Sequence, residues 1–213
     1  MSEICCRLHQ LFLGIPKFKF PFEWSVIPKN GIYVLFEKGE IAHDVDRIVR
    51  VGTHTGNDQL RSRLKQHFIT ENKDRSIFRK NIGRAILKKD GDDFLEQWEI
   101  DLTTREAKRK YVGSLDFTRL QVTEKRVTEY IQRNFQFITF SVEEKIDRLQ
   151  WESRLISTIS LCDECHPSAS WLGSHSPKDR ISESGLWLVN ELYKQPLSEG
   201  DYEVLKSMIL NAM

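Results

Sequence analysis

Residues 30–68 read NGIYVLFEKGEIAHDVDRIVRVGTHTGNDQLRSRLKQHF. Residues 31–37 are β-branched and aromatic, the composition of a strand. Glu40–Asp46 is polar and reads as a loop. Arg47–Val51 alternates charged and apolar residues, which predicts a second strand, paired with the first as a hairpin and wet on one face. Gly52–Asn57 follows as a turn rich in glycine and threonine. Asp58 stands where a side-chain cap would start a helix, Gln59–Phe68, with Leu60, Leu64 and Phe68 on its apolar face. This strand, strand, helix unit presents Tyr33, Arg61, Arg63 and His67, side chains suited to a phosphodiester.

Outward from this unit the pattern is mixed. Residues 1–29 hold prolines and aromatics, among them Phe18, Phe20, Phe22 and Trp24, and read as an irregular or partly helical arm packed on the core. Residues 71–134 are mostly polar with apolar residues at helical spacing: Ile77, Ile82, Ala85 and Ile86, then Phe94, Leu95 and Trp98, then Leu120 to Ile131. Phe135–Val142 returns to period two and predicts a third strand. Glu143–Ser160 reads as an amphipathic helix with Ile146, Leu149, Leu155, Ile156 and Ile159 as its stripe. Cys162–Pro177 reads as a loop; Gly185–Tyr193 and Tyr202–Met213 read as terminal helices. The fold class expected is α/β (α+β): a small three-stranded, mainly antiparallel sheet flanked by helices. The division expected is an arm (1–29), a domain (30–180) with a helical insertion at about 71–134, and C-terminal helices packed on it (181–213).

Composition limits the function classes. Apolar residues are 39% of the 213, enough for a packed core. Net charge is +1, so composition alone predicts no nucleic-acid partner, and a basic surface must be local. The run from Arg61 to Lys89 is such a patch. No stretch approaches the roughly 18 apolar residues of a membrane span. Four cysteines, two of them adjacent at Cys5-Cys6, suit a reduced compartment. The expectation is a soluble, cytoplasmic protein.

The motifs in this order resemble the GIY-YIG nuclease family. Gly31-Ile32-Tyr33 is literal; Arg50-Val51-Gly52 stands where the family usually has a tyrosine first. The resemblance implies a metal-dependent endonuclease acting on DNA, with RNA as the second choice. It implies Tyr33 lining the site and Arg63, just before Leu64, as the catalytic arginine. His67 lies on the same helix face, four residues on, and has the pKa of a base near neutrality. It implies Glu152, in Gln150-Trp151-Glu152, as the ligand of one Mg²⁺ or Mn²⁺, with Glu143 and Glu144 as competitors. The family's asparagine has no counterpart at its usual place; Ser170 is the occupant expected, or Asn190 if the C-terminus folds back.

An arginine cannot act as a general base. With Arg50 at the second motif, water activation falls to Tyr33, His67 or His54, or Arg50 points to solvent and Thr53 or His54 reaches the site. Arg50, Arg61, Lys65, Arg75, Arg79 and Lys80 are the residues expected to contact nucleic acid. Cys162-x-x-Cys165-His166 with His175 has zinc-ligand types, but reduced, non-ligating cysteines are the reading preferred. Trp171 and Trp187 are read as packing residues. The rival readings are a catalytically inactive nucleic-acid-binding module on the same fold and an interaction domain whose insertion binds protein.

Overall fold

The computed structural model describes residues Ser2–Asn211. The hairpin at its centre is longer than the sequence pattern predicts. Strands β2 (Gly31–Ala42) and β3 (Val45–Gly52) meet at a two-residue turn, His43-Asp44. Both turn residues have positive φ, 51° and 62°, as the twist of a tight hairpin requires. Glu40–Asp46 is therefore not a loop. Its polar residues were misleading because Glu40 is buried, with Arg47 Nη2 2.6 Å from its Oε2 and Ser168 donating to it.

Strand β4 (Phe135–Ser141) pairs antiparallel with β2, from Gly31 opposite Ser141 to Glu37 opposite Phe135. The arm is more ordered than expected. It forms helix α1 (Ser2–Leu13) and a two-residue strand, β1 (Phe18–Lys19), which pairs with β4. The sheet thus has four strands in the order β1-β4-β2-β3.

Both faces of the sheet are buried, which makes a three-layer molecule. Ile32, Val34 and Phe36 pack on α1, on α7 (Lys145–Ser160) and on α9 (Glu199–Asn211). Tyr33 and Leu35 face the other way, toward α2 (Leu60–Phe68), α3 (Ile77–Asp90) and α6 (Phe117–Asn134). Between α3 and α6 lie two short helices, α4 (Leu95–Trp98) and α5 (Arg105–Tyr111). Ser76 caps α3 by accepting from the Arg79 N–H, and Gly91, with φ 66°, ends it. A buried Arg79–Glu124 ion pair of 2.7 Å ties α3 to α6.

Three further expectations need correction. Asp58 does not cap α2. It sits at φ 56°, and its N–H and Oδ1 pair with the side chain of Asn30 at 2.8 and 3.0 Å. Ile146 and Leu149 are exposed; the fully buried apolar residues of α7 begin at Leu155, with Trp151 partly buried against the same cluster. Gly185–Tyr193 is not helical. Helix α8 (Asp179–Ser184) stops at Gly185, whose φ is 68°. The chain then runs along the free edge of β3, with the Trp187 N–H donating to the Val49 carbonyl at 2.8 Å. This covers an edge that would otherwise be open to another strand. Residues 212–213 of the expected terminal helix lie outside the described residues. Among the described residues no helix is long and apolar enough to cross a membrane.

Candidate active site

Two glycines let the strands approach. A Cβ on Gly31 would lie 2.2 Å from the Phe140 carbonyl oxygen of the neighbouring strand. A Cβ on Gly52 would lie 2.2 Å from Tyr33 Oη. Tyr33 is the cross-strand partner of Gly52, and its ring occupies the space that a side chain there would take. The glycine of the second motif is therefore part of the seat of the tyrosine of the first.

Tyr33 is 1% exposed and His67 is fully buried. Tyr33 Oη lies 2.8 Å from His67 Nε2, and His67 Nδ1 lies 2.7 Å from Ser76 Oγ. Burial holds the imidazole pKa well below its ordinary value, reinforced by the charges of Arg63, Arg50 and Arg79. The ring is neutral at working pH. One nitrogen carries the proton, and Tyr33 and Ser76 take the complementary roles. The Arg50 Nε–H donates to Tyr33 Oη at 3.3 Å.

Arg50 is buried, and neither arginine of β3 is wet. The pairing jumps from Leu35–Arg50 to Phe36–Ile48, leaving Val49 as an extra residue. Such a bulge re-aims the side chains beside it. Here Ile48 and Val51 join the α1/α7 face, whereas Val49 joins the α2/α3 face, where Arg50 meets Tyr33. The Arg50 guanidinium also donates to the Trp187 carbonyl and stands 5.3 Å over the Phe78 ring. Solvent exposure of Arg50 is thus excluded: the covering segment supplies its acceptor.

Arg50 also lines a cleft of about 420 Å³ with Arg63, Asn81, Glu152 and Asn190. Arg63 comes from α2, Glu152 from α7 and Asn81 from α3. Glu152 Oε1 accepts the Thr53 N–H at 3.1 Å, which fixes the carboxylate at the end of β3. Burial raises the Glu152 pKa, against the opposing pull of Arg50, the Thr53 N–H and Arg63. Asn81 Oδ1 accepts from Arg84 at 2.6 Å. Its Nδ2 is the one buried side-chain nitrogen or oxygen without a partner among the described residues. A donor left unpaired beside two guanidiniums suits an oxyanion such as a phosphate.

Of the residues expected at the site, Arg63 and Glu152 line the cleft together. Tyr33 and His67 form a buried pair joined to it through Arg50. Thr53 and His54 hold backbone instead. The Thr53 hydroxyl donates to the Gly31 carbonyl at 2.7 Å, and His54 Nε2 accepts the Gly31 N–H at 3.3 Å. His54 Nδ1 faces the Gly56 carbonyl at 2.7 Å, so both nitrogens are engaged. Ser170 is on the wrong side; its hydroxyl meets Ser168, next to Glu40. Asn190 is in the cleft because the C-terminal segment does fold back. Glu143 is held by Asn30 at 3.0 Å, and neither it nor Glu144 lines the cleft.

The basic run is mostly structural. Arg61 donates to the carbonyls of Ile27 and Ser25, at 2.7 and 2.9 Å, and pins the arm. Arg79 is fully buried against Glu124. Lys80 donates to the Glu99 carbonyl at 3.0 Å. Lys65 and Arg75 are exposed. Trp171 and Trp187 are buried, and each donates its indole N–H to Glu37 at 2.8 Å. Neither ring is free to stack on a base.

The donor set at the cleft fits a hard divalent ion. Glu152 supplies carboxylate oxygen, and no thiolate or imidazole lines the cleft. The soft donors gather elsewhere: Cys162 and Cys165 meet His43 and Cys5, while His166 and His175 are exposed and apart. Cys162 and Cys165 thus gather with His43 and Cys5 rather than with His166 and His175, the histidines nearest in sequence. Asn81 escaped the sequence reading because an asparagine inside a helix carries no spacing signal. A family model described as a GIY-YIG domain matches residues 7–213. No curated protein and no solved structure matches the chain.

Proposed function

The chain belongs to the GIY-YIG family of nucleases, and from that premise we propose that it is an endonuclease that hydrolyses DNA phosphodiesters with a divalent metal. The observation that carries this reading is the convergence of Arg50, Arg63 and Glu152 from three elements on one cleft, beside the unpaired amide of Asn81. Phosphodiester hydrolysis passes through a five-coordinate phosphorus with added negative charge on its oxygens. Arg50 and Arg63 supply fixed positive charge and planar donors for those oxygens. Asn81 Nδ2 adds a neutral donor whose pairing waits for the substrate.

Glu152 would hold one Mg²⁺ or Mn²⁺. When bound, such an ion neutralises the leaving oxygen and acidifies water. Tyr33 and His67 act as positioning residues. The phenol accepts the Arg50 Nε–H, the neutral imidazole fixes the phenol, and Ser76 fixes the imidazole. In this reading Arg50 takes the second motif's place in the cleft as a charge stabiliser. Lys65 and Arg75 extend the positive surface toward the DNA backbone.

The complete burial of the Tyr33–His67 pair also favours a second reading, a module that binds nucleic acid without cutting it. Incubation of the protein with supercoiled plasmid, with and without Mg²⁺ or Mn²⁺, separates the two. Metal-dependent nicking that disappears in Glu152→Ala and Arg63→Ala supports the nuclease. Salt-sensitive binding with no nicking supports the module, and undiminished nicking by both variants removes this cleft as the site.

A further inference from the structure

The turn of the β2–β3 hairpin lies at the far end of the strands from the cleft. Three thiols and an imidazole meet there from segments distant in the chain. Cys5 comes from α1, His43 from the turn, and Cys162 and Cys165 from the loop after α7. His43 Nε2 is 3.4 Å from both Cys162 Sγ and Cys165 Sγ. Cys5 Sγ is 3.4 Å from Cys165 Sγ. All three cysteines are buried and free, and the His43 side chain is 1% exposed. With bonds of about 2.3 Å to sulfur and about 2.0 Å to nitrogen, a tetrahedral ion sets its ligand atoms about 3.5–3.8 Å apart. The spacing at this cluster is close to that of a coordination shell.

Free buried cysteines ordinarily pack as small apolar residues. That alternative leaves two features unexplained. The first is an imidazole nitrogen directed at two sulfurs at once. The second is the other ring nitrogen, His43 Nδ1, which lies 3.4 Å from Glu164 Oε2. A carboxylate behind a histidine is the arrangement that orients a metal-bound ring and strengthens its donor nitrogen.

His9 is close by, with its ring 5.0 Å from that of His43. Its nitrogens are already engaged, Nδ1 with the Cys5 carbonyl at 2.8 Å and Nε2 with the Ile48 N–H at 3.2 Å. His9 Nδ1 is also 3.6 Å from Cys5 Sγ and its Nε2 4.0 Å from Cys165 Sγ, so His9 borders the cluster as a further donor; its two backbone bonds are what set it behind Cys162 as a ligand. Cys162 and Cys165 have the two-residue spacing of a zinc knuckle, with the Cys165 N–H directed back to the Cys162 carbonyl.

We propose that Cys5, His43, Cys162 and Cys165 bind one structural Zn²⁺. With four protein ligands the site is closed, so its role is to tie α1, the hairpin turn and the α7 loop together. That loop leads to Ser168 and Trp171, which hold Glu40 and Glu37 on β2. The ion would act on the frame of the hairpin, remote from the chemistry of the cleft.

The test uses the full chain without a polyhistidine tag, purified under reducing conditions and without chelator. Elemental analysis is expected to give about one zinc per chain. Cys165→Ser and His43→Ala should lose most of it, whereas Cys6→Ser, His166→Ala and His175→Ala should keep it. Because a ligand variant can fail to fold, the wild-type protein provides a second readout. Exchange of its metal for Co²⁺ should give the intense visible bands and the sulfur-to-cobalt charge-transfer band of a tetrahedral thiolate site. A folded, metal-free wild-type protein with no cobalt bands and freely reactive thiols would overturn the proposal. Loss of zinc in His166→Ala or His175→Ala would overturn this ligand set.

Discussion

At its open end the β2–β3 hairpin carries Arg50, Gly52 and Thr53 beside Glu152; at its turn His43 meets three thiols. The two places are on the order of 30 Å apart along the strands. The donors at the open end are hard and mostly charged, and the neutral one, Asn81 Nδ2, is buried without a partner. The donors at the turn are soft, enclosed and mutually in contact. An end that must receive a charged ligand keeps its groups under-satisfied until the ligand arrives. An end that only holds the frame has no reason to. The same pair of strands can serve both because its middle is rigid, buried on both faces and locked along its edge by Trp187.

The largest effect expected separates the two ends by activity. Glu152→Ala and Arg63→Ala should each lower metal-dependent plasmid nicking by about 10²–10³-fold, the usual loss for one transition-state partner. Their thermal unfolding should stay near that of the wild type. A loss of activity matched by a loss of folded protein would move these residues to the structural end of the comparison. Arg50→Lys keeps the charge but not the planar fork that spans Tyr33 and the Trp187 carbonyl. It should cost about 10–100-fold in nicking, on the scale of about 1.4 kcal/mol per tenfold.

Gly52→Ala tests the frame near the cleft. The added methyl meets Tyr33 Oη, and the buried ring has nowhere to go. Overpacking of this kind costs about 1–3 kcal/mol. Chemical denaturation should show that shift, and an unchanged midpoint would mean that the ring is not seated there.

The pH dependence follows from Glu152. Burial favours its neutral form and raises its pKa. The carboxylate needed for a cation is lost as pH falls through that raised value. Mg²⁺ affinity, followed by calorimetry, should decline at a pH above the ordinary glutamate range. Stability moves in the opposite sense: this group favours the folded state at low pH, and its contribution is lost as pH rises through the folded value. His67, held neutral, should add no inflection to the Mg²⁺ affinity near the ordinary histidine range; in stability its lowered pKa favours the folded state at higher pH, a contribution that declines as pH falls through that range. The smallest effect is at the surface. Lys65→Ala or Arg75→Ala should weaken DNA binding and reduce its salt slope by about one unit each, leaving the cleavage step unchanged.

The hairpin, the arginine helix, the third strand and the glutamate helix were legible because their periodicities are strong. Tyr33, Arg63, His67 and Glu152 could be named as candidates because the short motifs that hold them resemble those of the GIY-YIG family. The reading failed where a residue's partner lies far along the chain. Arg79, Arg61 and Lys80 looked like a basic surface, yet Glu124, the Ile27 carbonyl and the Glu99 carbonyl claim them. Arg50 looked wet because the segment that covers it arrives some 137 residues later. Asn190 in place of Ser170 follows from the same return of the chain.

By itself the sequence determined the central strands and helices, the family and the identity of the charged groups, because hydrophobic period and short motifs are local properties. The tertiary structure decided which charges are free, which are paired and where the thiols meet. Those outcomes depend on contacts between residues far apart in the chain, 160 residues between Cys5 and Cys165 and 99 between Thr53 and Glu152. No local spacing encodes them, since burial and hydrogen bonding are settled only when the layers close on the sheet.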